Sequence, residues 1–280
     1  MNGHVEGAPA ARIAFDRLAA SYDGVTGGEI FDLLRKRTHA VLARAFPSGC
    51  RVLEIGCGTG IDTVFLAGRG VRVLACDLAE RMVSCTARRV GRHGLERSAT
   101  VMACSLGDLA PYLDALDEAP SFDGIVSNFG ALNCVANLEA LGALTSRHVR
   151  PGGTVILGLM GRTCAWETLY FAATKRPHLA GRRRAASPVP VPVAGITVPT
   201  FYHRVSDVRA ALGSGTRLTS ILGIGVMIPP PYLEARWQRV PPIARRLCIS
   251  ADRLLAPWPP FNRLGDHVLL HFMKKRAAHD

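Results

Sequence analysis

The sequence lacks any apolar stretch long enough to cross a membrane as a helix. Its richest apolar run, at 218–228, contains glycines and is too short, because a spanning helix needs about 20 residues. Residues 1–11 also lack the apolar core of a signal peptide. We therefore expect a cytoplasmic protein.

Metal-binding and catalytic signatures are also missing. The eight cysteines include no C-x-x-C spacing and form no cluster with histidines, which disfavours a metal site and disulfides. Most cysteines adjoin apolar residues, where a thiol behaves as a small apolar side chain. No His–Asp pair has a recognisable spacing, so no general base stands out. We expect free thiols and no bound metal.

The first half of the chain has no net charge. Residues 1–150 hold 16 Lys or Arg and 16 Asp or Glu, whereas residues 151–280 hold 18 and 6. The second half also contains 14 of the 18 prolines. The basic, proline-rich half therefore differs in role from the neutral half.

The most informative motif is Val-Leu-Glu-Ile-Gly-Cys-Gly-Thr-Gly at 52–60. It predicts a buried strand, a glycine turn and a helix from Ile61 whose N-terminus points over the sheet edge. A second predicted strand ends at Asp77, where a carboxylate can accept hydrogen bonds from ribose hydroxyls. The glycines follow G-x-G-x-G, whereas dinucleotide sites prefer G-x-G-x-x-G. A nicotinamide dehydrogenase is therefore the weaker alternative.

Together these features resemble the class I S-adenosylmethionine-dependent methyltransferases of the small-molecule type. Two further segments are similar to that family: Phe-Asp-x-x-Ala-x-x-Tyr-Asp at 15–23, and Arg-Pro-Gly-Gly at 150–153 before a predicted strand. The resemblance implies an α/β, Rossmann-like fold with a doubly wound, mostly parallel seven-stranded sheet and an antiparallel last strand. Segments 218–227 and 267–273 fit its last two strands.

The resemblance also implies S-adenosyl-L-methionine as the cofactor and in-line methyl transfer to a small molecule. It assigns cofactor contacts to residues of the lid, the glycine turn and the strand ends: Tyr22, Glu54, Gly56, Cys57, Gly58, Thr59, Gly60, Asp77, Leu78, Met82, Ser105, Leu106, Asn128 and Phe129. Tyr22 would cover the methionine end. Where the family has an acid beside adenine, this chain has Ser105 and Leu106, and Asp108 is the open alternative.

Substrate contacts are expected in the loop after the fourth strand and after the fifth. Asn133, Trp166 and Tyr170 are the candidate substrate residues, and Glu167 is the candidate base; ordinary helix packing is the alternative for the last three. The loop after Asn128 lacks the two prolines of amino-methylating DNA enzymes, so we expect no DNA partner.

The family comparison divides the chain at residue 160. Residues 1–160 would form the cofactor-binding core with N-terminal lid helices, and 161–280 would add the remaining strands plus substrate-cover segments at 161–200 and 228–265. Within the first cover segment, Arg182–Arg184 reads as a solvated turn, and 188–199 as an extended polyproline-like wrap.

A predicted helix at 242–256 is basic and amphipathic, with Ile243, Leu247, Leu254 and Leu255 apolar. Such helices often lie in membrane interfaces. Peripheral contact with the anionic inner face of the membrane, and a lipophilic or anionic acceptor, are therefore open expectations. The alternatives are packing of this helix on the sheet, and a non-catalytic protein that binds RNA or a membrane surface.

Overall fold

The computed structural model describes residues 8–116, 121–186 and 188–276. Nine strands are present in this part of the chain: β1 (Arg51–Ile55), β2 (Arg72–Asp77), β3 (Ala99–Ala103), β4 (Phe122–Ser127), β5 (Val149–Met160), β6 (Val189–Val193), β7 (Ile196–Thr200), β8 (Thr216–Ile224) and β9 (His267–Lys274). The α-helices are α1 (Ala8–Leu18), α2 (Tyr22–Val25), α3 (Glu29–Ala45), α4 (Ile61–Ala67), α5 (Glu80–Arg92), α6 (Leu106–Asp114), α7 (Glu139–His148), α8 (Ala165–Ala173), α9 (Pro177–Ala180), α10 (Val205–Leu212), α11 (Glu234–Trp237) and α12 (Pro242–Leu255).

Seven strands form one sheet in the order β3-β2-β1-β4-β5-β9-β8. β1 to β5 are parallel, and β9 pairs antiparallel with both β5 and β8. The predicted fold is therefore confirmed. The strand order reverses between β1 and β4, which places a crevice at the carboxyl ends of these strands, where ligands of doubly wound sheets bind.

The sheet is buried on both faces, as expected of parallel strands covered by helices. In β1, Val52 and Leu53 are both fully buried, yet they belong to two separate apolar clusters. One cluster lies under α3, α4 and α5, and the other under α6, α7 and α10. No helix within the described ranges combines the length and apolar character needed to cross a bilayer.

The proline-rich segment 188–199 is a β-hairpin, so the expected polyproline-like wrap is wrong. β6 and β7 pair antiparallel, and Ala194 and Gly195 turn the chain with φ of +48° and +77°. Positive φ at both central residues is the signature of a type I′ turn, which matches the twist of a hairpin. The hairpin packs Val198 against Ala11 and Ala14 of α1, and thereby supports that helix.

Segment 228–265 contacts α3, β8 and β9. The carboxylate of Glu234 in α11 accepts hydrogen bonds from the backbone N–H groups of Glu29 (3.1 Å) and Ile30 (2.9 Å), which caps the N-terminus of α3. The inner face of α12 contributes Cys248 and Ile249 to the same apolar cluster as α3. This contact fixes α3 over the carboxyl edge of the sheet.

Candidate active site

A cavity of about 750 Å³ opens at the carboxyl ends of β1 to β4, under the roof formed by α1. Ten residues predicted from the sequence line it: Tyr22, Gly56, Gly58, Asp77, Leu78, Met82, Ser105, Leu106, Asn128 and Phe129. The structure thus brings together residues from five separate segments. Four other predicted residues, Glu54, Cys57, Thr59 and Gly60, do not line the cavity.

The glycine turn after β1 presents backbone to the cavity. Gly58 has φ of +56°, and a Cβ atom added there would meet no atom within 4 Å. Gly56 has φ of +74°, and an added Cβ would lie 2.2 Å from Cβ of Ala131. The first glycine therefore allows the turn to contact the loop after β4, and the second leaves room for a ligand against the backbone.

Asp77 terminates β2 with both carboxylate oxygens fixed. Oδ2 accepts a hydrogen bond from the backbone N–H of Gly58 (2.9 Å), and Oδ1 accepts one from that of Ala79 (2.9 Å). Burial raises the pKa of Asp77, although these two hydrogen bonds oppose the rise. Each oxygen can accept a second hydrogen bond, so the carboxylate fits a pair of neighbouring hydroxyls.

Glu54 lies beneath the glycine turn. It is buried, and its Oε2 accepts a hydrogen bond from the hydroxyl of Thr63 (2.6 Å). Burial, and then the charge of Asp62, raises the pKa of Glu54 well above its usual range. The position of this carboxyl suits support of the turn, rather than direct contact with a cationic ligand.

The other three predicted loop residues hold the turn in place. The Thr59 hydroxyl donates to Asp23 of α2 (2.6 Å), and Sγ of Cys57 lies 3.6 Å from the Thr86 hydroxyl. Gly60 packs so closely on Thr86 that a Cβ atom there would lie 2.7 Å from it. These residues therefore join the glycine turn to α2 and α5.

Tyr22 begins α2 and lines the cavity near Asp77. Burial, and then the negative charge of Asp77, raises the pKa of Tyr22 to about 12. The phenol is therefore neutral at physiological pH. It can donate a hydrogen bond to a ligand, but it is not a base at that pH.

Ser105 and Asp108 are hydrogen-bonded to each other at the start of α6. Ser105 caps this helix by accepting a hydrogen bond from the backbone N–H of Asp108 (3.2 Å), and its hydroxyl donates to Oδ2 of Asp108 (2.6 Å). Both residues line the cavity, as Leu106 does. The two alternatives from the sequence are therefore neighbours in the cavity wall.

Asn128 belongs to a polar chain that runs from the cavity wall to α3. Its Nδ2 donates to Oδ2 of Asp62 (2.8 Å) and to the hydroxyl of Thr38 (3.2 Å). Its Oδ1 accepts the backbone N–H of Phe129 (3.0 Å). His39 Nε2 lies 2.7 Å from Oδ1 of the same aspartate. The amide therefore shapes the loop after β4.

The predicted substrate residues do not line the cavity. Asn133 is fully buried, where its Oδ1 accepts the backbone N–H of Met160 (2.8 Å) and its Nδ2 donates to the carbonyl of Phe201 (2.7 Å). Tyr170 packs with Arg236, whose guanidinium carbon lies 5.0 Å from its ring centroid. Trp166 is half-buried in α8.

Glu167, the candidate base, is bound in a buried ion cluster away from the cavity wall. Its Oε1 accepts from Nε of Arg182 (2.9 Å), and its Oε2 accepts from Nη2 of Arg183 (2.7 Å). Although burial raises it, these arginines hold the pKa of Glu167 below its usual range. Glu167 does not line the cavity. The expected solvated turn at Arg182–Arg184 is wrong, since Arg183 is 6% exposed.

α1 lies over the cavity, in the region where the family resemblance predicted lid helices. Pro9, Arg12 and Phe15 of α1 line it, and Glu139 of α7 contributes to the wall. Phe15 belongs to the motif at 15–23, whereas no local pattern in the sequence marked Pro9, Arg12 or Glu139. Neither cover segment reaches the cavity directly; 161–200 acts through the hairpin on α1. Within the described ranges, no three His, Cys, Asp or Glu side chains cluster as metal ligands would.

Comparison with known proteins agrees with this geometry. Residues 52–153 match a family described as a methyltransferase domain. The ubiquinone biosynthesis O-methyltransferase of Xanthomonas oryzae pv. oryzae (strain PXO99A) is 35% identical over 132 residues, which cover 46% of this chain and 51% of that protein. The chain therefore spans about half the length of the curated relatives it matches.

Solved structures show the same fold over nearly the whole chain. The [4+2]-cyclase SpnF superposes with a TM-score of 0.62 at 14% identity, over 97% of this chain and 98% of that one. The geranyl diphosphate C-methyltransferase of Streptomyces coelicolor A3(2), solved with Mg²⁺, geranyl diphosphate and S-adenosylhomocysteine, gives 0.52 at 16% identity, over 86% and 79%. At such identities the likeness extends to the fold alone.

Proposed function

We propose that this chain, whose residues 52–153 match a methyltransferase domain, is a class I S-adenosylmethionine-dependent methyltransferase that methylates a small molecule. The observation that carries the proposal is the pairing of Asp77 with Gly58. The carboxylate is fixed with acceptor capacity left over, beside a glycine whose missing side chain leaves space in the cavity. This arrangement suits a ribose held against the glycine turn.

Different cavity residues would contact different parts of the cofactor. Asp77 would hold the ribose hydroxyls, and Leu78 and Leu106 would contact the adenine from either side, with Asp108 near its amine. Tyr22 and the loop at Asn128 would face the methionine end. The carboxylates of Asp77 and the nearby Asp62 act on Tyr22, at the methionine end of the cavity. Their negative charge favours a cationic ligand there, although the protein as a whole is basic.

When bound, S-adenosylmethionine supplies a methyl group that is already electrophilic toward an aligned nucleophile. The protein has to align the acceptor and exclude water. α1 covers the cavity, and Phe15 and Tyr22 contribute apolar surface to its wall.

Calorimetry and isotope transfer test the proposal together. Purified protein should bind S-adenosylmethionine and S-adenosylhomocysteine, and should not bind NAD or NADP. Cell extract incubated with methyl-labelled cofactor should then yield a labelled small molecule. Preference for a dinucleotide would contradict the proposal. Cofactor binding without any labelled product would favour a non-catalytic role on this fold.

A second role, contact with an anionic membrane surface, is favoured by the outer face of α12. Ile243, Leu247 and Leu254 are each at least 66% exposed, and their spacing of four and seven residues places them within about 40° on the helix. Trp258 follows at 65% exposure. We infer an apolar stripe that faces away from the protein and has no partner within the described residues.

The charges beside this stripe match an anionic partner. Arg239, Arg246, Arg253 and Arg263 are exposed around it. Asp252 is the only acid in α12, and it is buried, where its Oδ1 accepts backbone N–H groups of Val226 (2.7 Å) and Met227 (2.9 Å). Arginines near anionic lipid contribute about 1 kcal/mol each, and the apolar stripe adds burial in the headgroup region. A protein bound to the membrane through this surface would meet a lipophilic or anionic acceptor there.

Vesicle co-sedimentation tests this role. The protein should bind phosphatidylglycerol-containing vesicles and not phosphatidylcholine vesicles at low salt, with weaker binding at physiological salt. The double variant Leu247→Ser/Leu254→Ser should lose binding. Leu169→Ser is the matched control, because Leu169 is 67% exposed on α8 and outside the stripe. Wild-type protein that stays in the supernatant with anionic vesicles would exclude the membrane role, and binding to RNA instead would favour a nucleic-acid partner.

A further inference from the structure

A buried ion cluster lies at the carboxyl edge of the sheet, outside the cavity. Its centre is Arg183, whose Nη2 donates to Oε2 of Glu167 (2.7 Å) and to Oδ1 of Asp266 (2.7 Å). Nη1 of the same guanidinium donates to the backbone carbonyl of Asp266 (2.9 Å). The arginine therefore joins the segment after β5 to the residue that precedes β9.

His267, the first residue of β9, is the end of this cluster nearest the cavity. It pairs with Met160 at the end of β5 and with Ile224 at the end of β8, so it lies at the ligand-binding edge of the sheet. Its Nδ1 is 3.2 Å from Oδ2 of Asp266. The angle at Nδ1 is not that of an aligned hydrogen bond, so the contact is electrostatic in this conformation.

A single aromatic ring separates His267 from the cavity. The ring of Phe129 lines the cavity and meets the His267 ring edge-on, with centroids 5.6 Å apart. Phe129 has φ of +48°, an unfavourable backbone conformation for a bulky residue. Phe31 and Arg35 of α3 contact the same ring, at 6.1 Å and 5.7 Å from its centroid. Strain of this kind is often found at ligand-binding positions.

We propose that His267, paired with Asp266, accepts the proton of the methyl acceptor at Nε2 when the acceptor turns the Phe129 ring aside. This inference rests on the proposed methyl transfer and adds a residue to it. Within the described residues, Nε2 forms no hydrogen bond, whereas Nδ1 faces the carboxylate. A histidine with one nitrogen facing a carboxylate and the other open is the usual arrangement of a general base.

The step balances as a proton transfer. The O–H bond of the acceptor breaks, its electron pair stays on oxygen, and the proton bonds to Nε2. The resulting imidazolium is balanced by Asp266, whose pKa is held well below its usual range by His267 and Arg183 although burial opposes this. The other charged groups facing the histidine are Glu167 through Arg183, and Arg35 across Phe129.

Three variants distinguish proton transfer to His267 from a purely structural role of this residue. His267→Gln and Asp266→Asn change the proposed pair, and His271→Gln is the control on the same strand and the same face. Labelled methyl transfer into the acceptor fraction of cell extract should fall at least 100-fold in His267→Gln and remain within twofold in His271→Gln. Affinity for S-adenosylhomocysteine, measured by calorimetry, should remain within twofold in all three variants.

A second measurement needs no acceptor. In protein labelled with ¹⁵N-histidine, the NMR signals of the neutral His267 ring should show the proton on Nδ1 in wild type, and this tautomer should lose population in the Asp266→Asn variant. Unchanged transfer in His267→Gln, parallel loss of S-adenosylhomocysteine affinity, or His267 ring signals that do not change in Asp266→Asn would each overturn the inference. Failure of wild type to bind S-adenosylhomocysteine would instead overturn the proposed function.

Discussion

Replacement of Arg183 by Met removes the centre of the buried ion cluster, and its cost can be estimated from the contacts. The guanidinium is 6% exposed and donates to two buried carboxylates and two backbone carbonyls. Removal of one partner from a buried ion pair costs about 3–5 kcal/mol, because it leaves an uncompensated charge. Arg182 still pairs with Glu167, and His267 stays beside Asp266, so we expect about 3 kcal/mol at pH 7.

The stability that Arg183→Met loses should depend on pH. In the wild type, the pKa values of Asp266 and Glu167 are lowered, so these carboxylates stabilise the fold above about pH 4 and lose this contribution as the pH falls. In Arg183→Met the same buried carboxyls lose their cation, and their pKa values should rise. Stability of the variant should then fall as the pH rises. Because the wild-type carboxylates already contribute fully above about pH 4, the variant should be less stable at pH 4 too, and the difference between the two proteins should grow from pH 4 to pH 7.

Urea unfolding followed by circular dichroism between pH 4 and pH 8 measures this difference. Arg147→Met is the matched control, because Arg147 pairs with Asp114 in an exposed position, with side chains 57% and 39% exposed. Such a pair contributes about 1 kcal/mol or less. If Arg183→Met were as stable as Arg147→Met, or if its deficit did not change with pH, the cluster would not hold the fold as described.

Other predictions concern the cavity. Asp77→Ala should weaken S-adenosylhomocysteine binding about ten- to a hundredfold, because lost hydrogen bonds cost about 1.5–3 kcal/mol. Unchanged affinity in calorimetry would show that Asp77 does not contact the cofactor. Gly58→Val should bind more weakly still, since φ of +56° disfavours valine and its side chain would enter the cavity; affinity equal to wild type would contradict this. Because the pKa of Glu54 is raised, wild-type stability should fall as the pH rises above about 4.3, and Glu54→Gln should flatten that slope in thermal unfolding from pH 5 to pH 8. Methyl transfer should survive exhaustive chelation, whereas a loss restored by magnesium or zinc would reveal a metal site.

Local sequence patterns predicted the elements that bind the expected cofactor. The glycine turn and Asp77 were predictable because each lies directly after a strand, and the carboxyl ends of parallel strands meet at one edge. The helix predicted from Ile61 begins at that residue in α4. These predictions depend on residues close together in the chain, where propensity and spacing carry the signal.

Other features depend on contacts between distant residues and were not predictable in this way. Glu167 looked free at a helix start, but Arg183 and Asp266 enclose it from two other segments. Valines alternate with prolines at 189–193, which matched a polyproline segment and equally a strand. The deciding feature is the Ala194–Gly195 turn, which allows β6 to pair with β7.

The position of β9 has a consequence for the order in which the protein can assemble. β9 follows all other strands of the described chain, yet it lies between β5 and β8. A nascent chain leaving the ribosome must therefore hold β5 with an unpaired edge, and β8 without a neighbour, until residues 267–274 emerge. Exposed strand edges recruit other chains. Translation arrest before this point should thus yield an aggregation-prone intermediate, even though the glycine turn and Asp77 have already been synthesised.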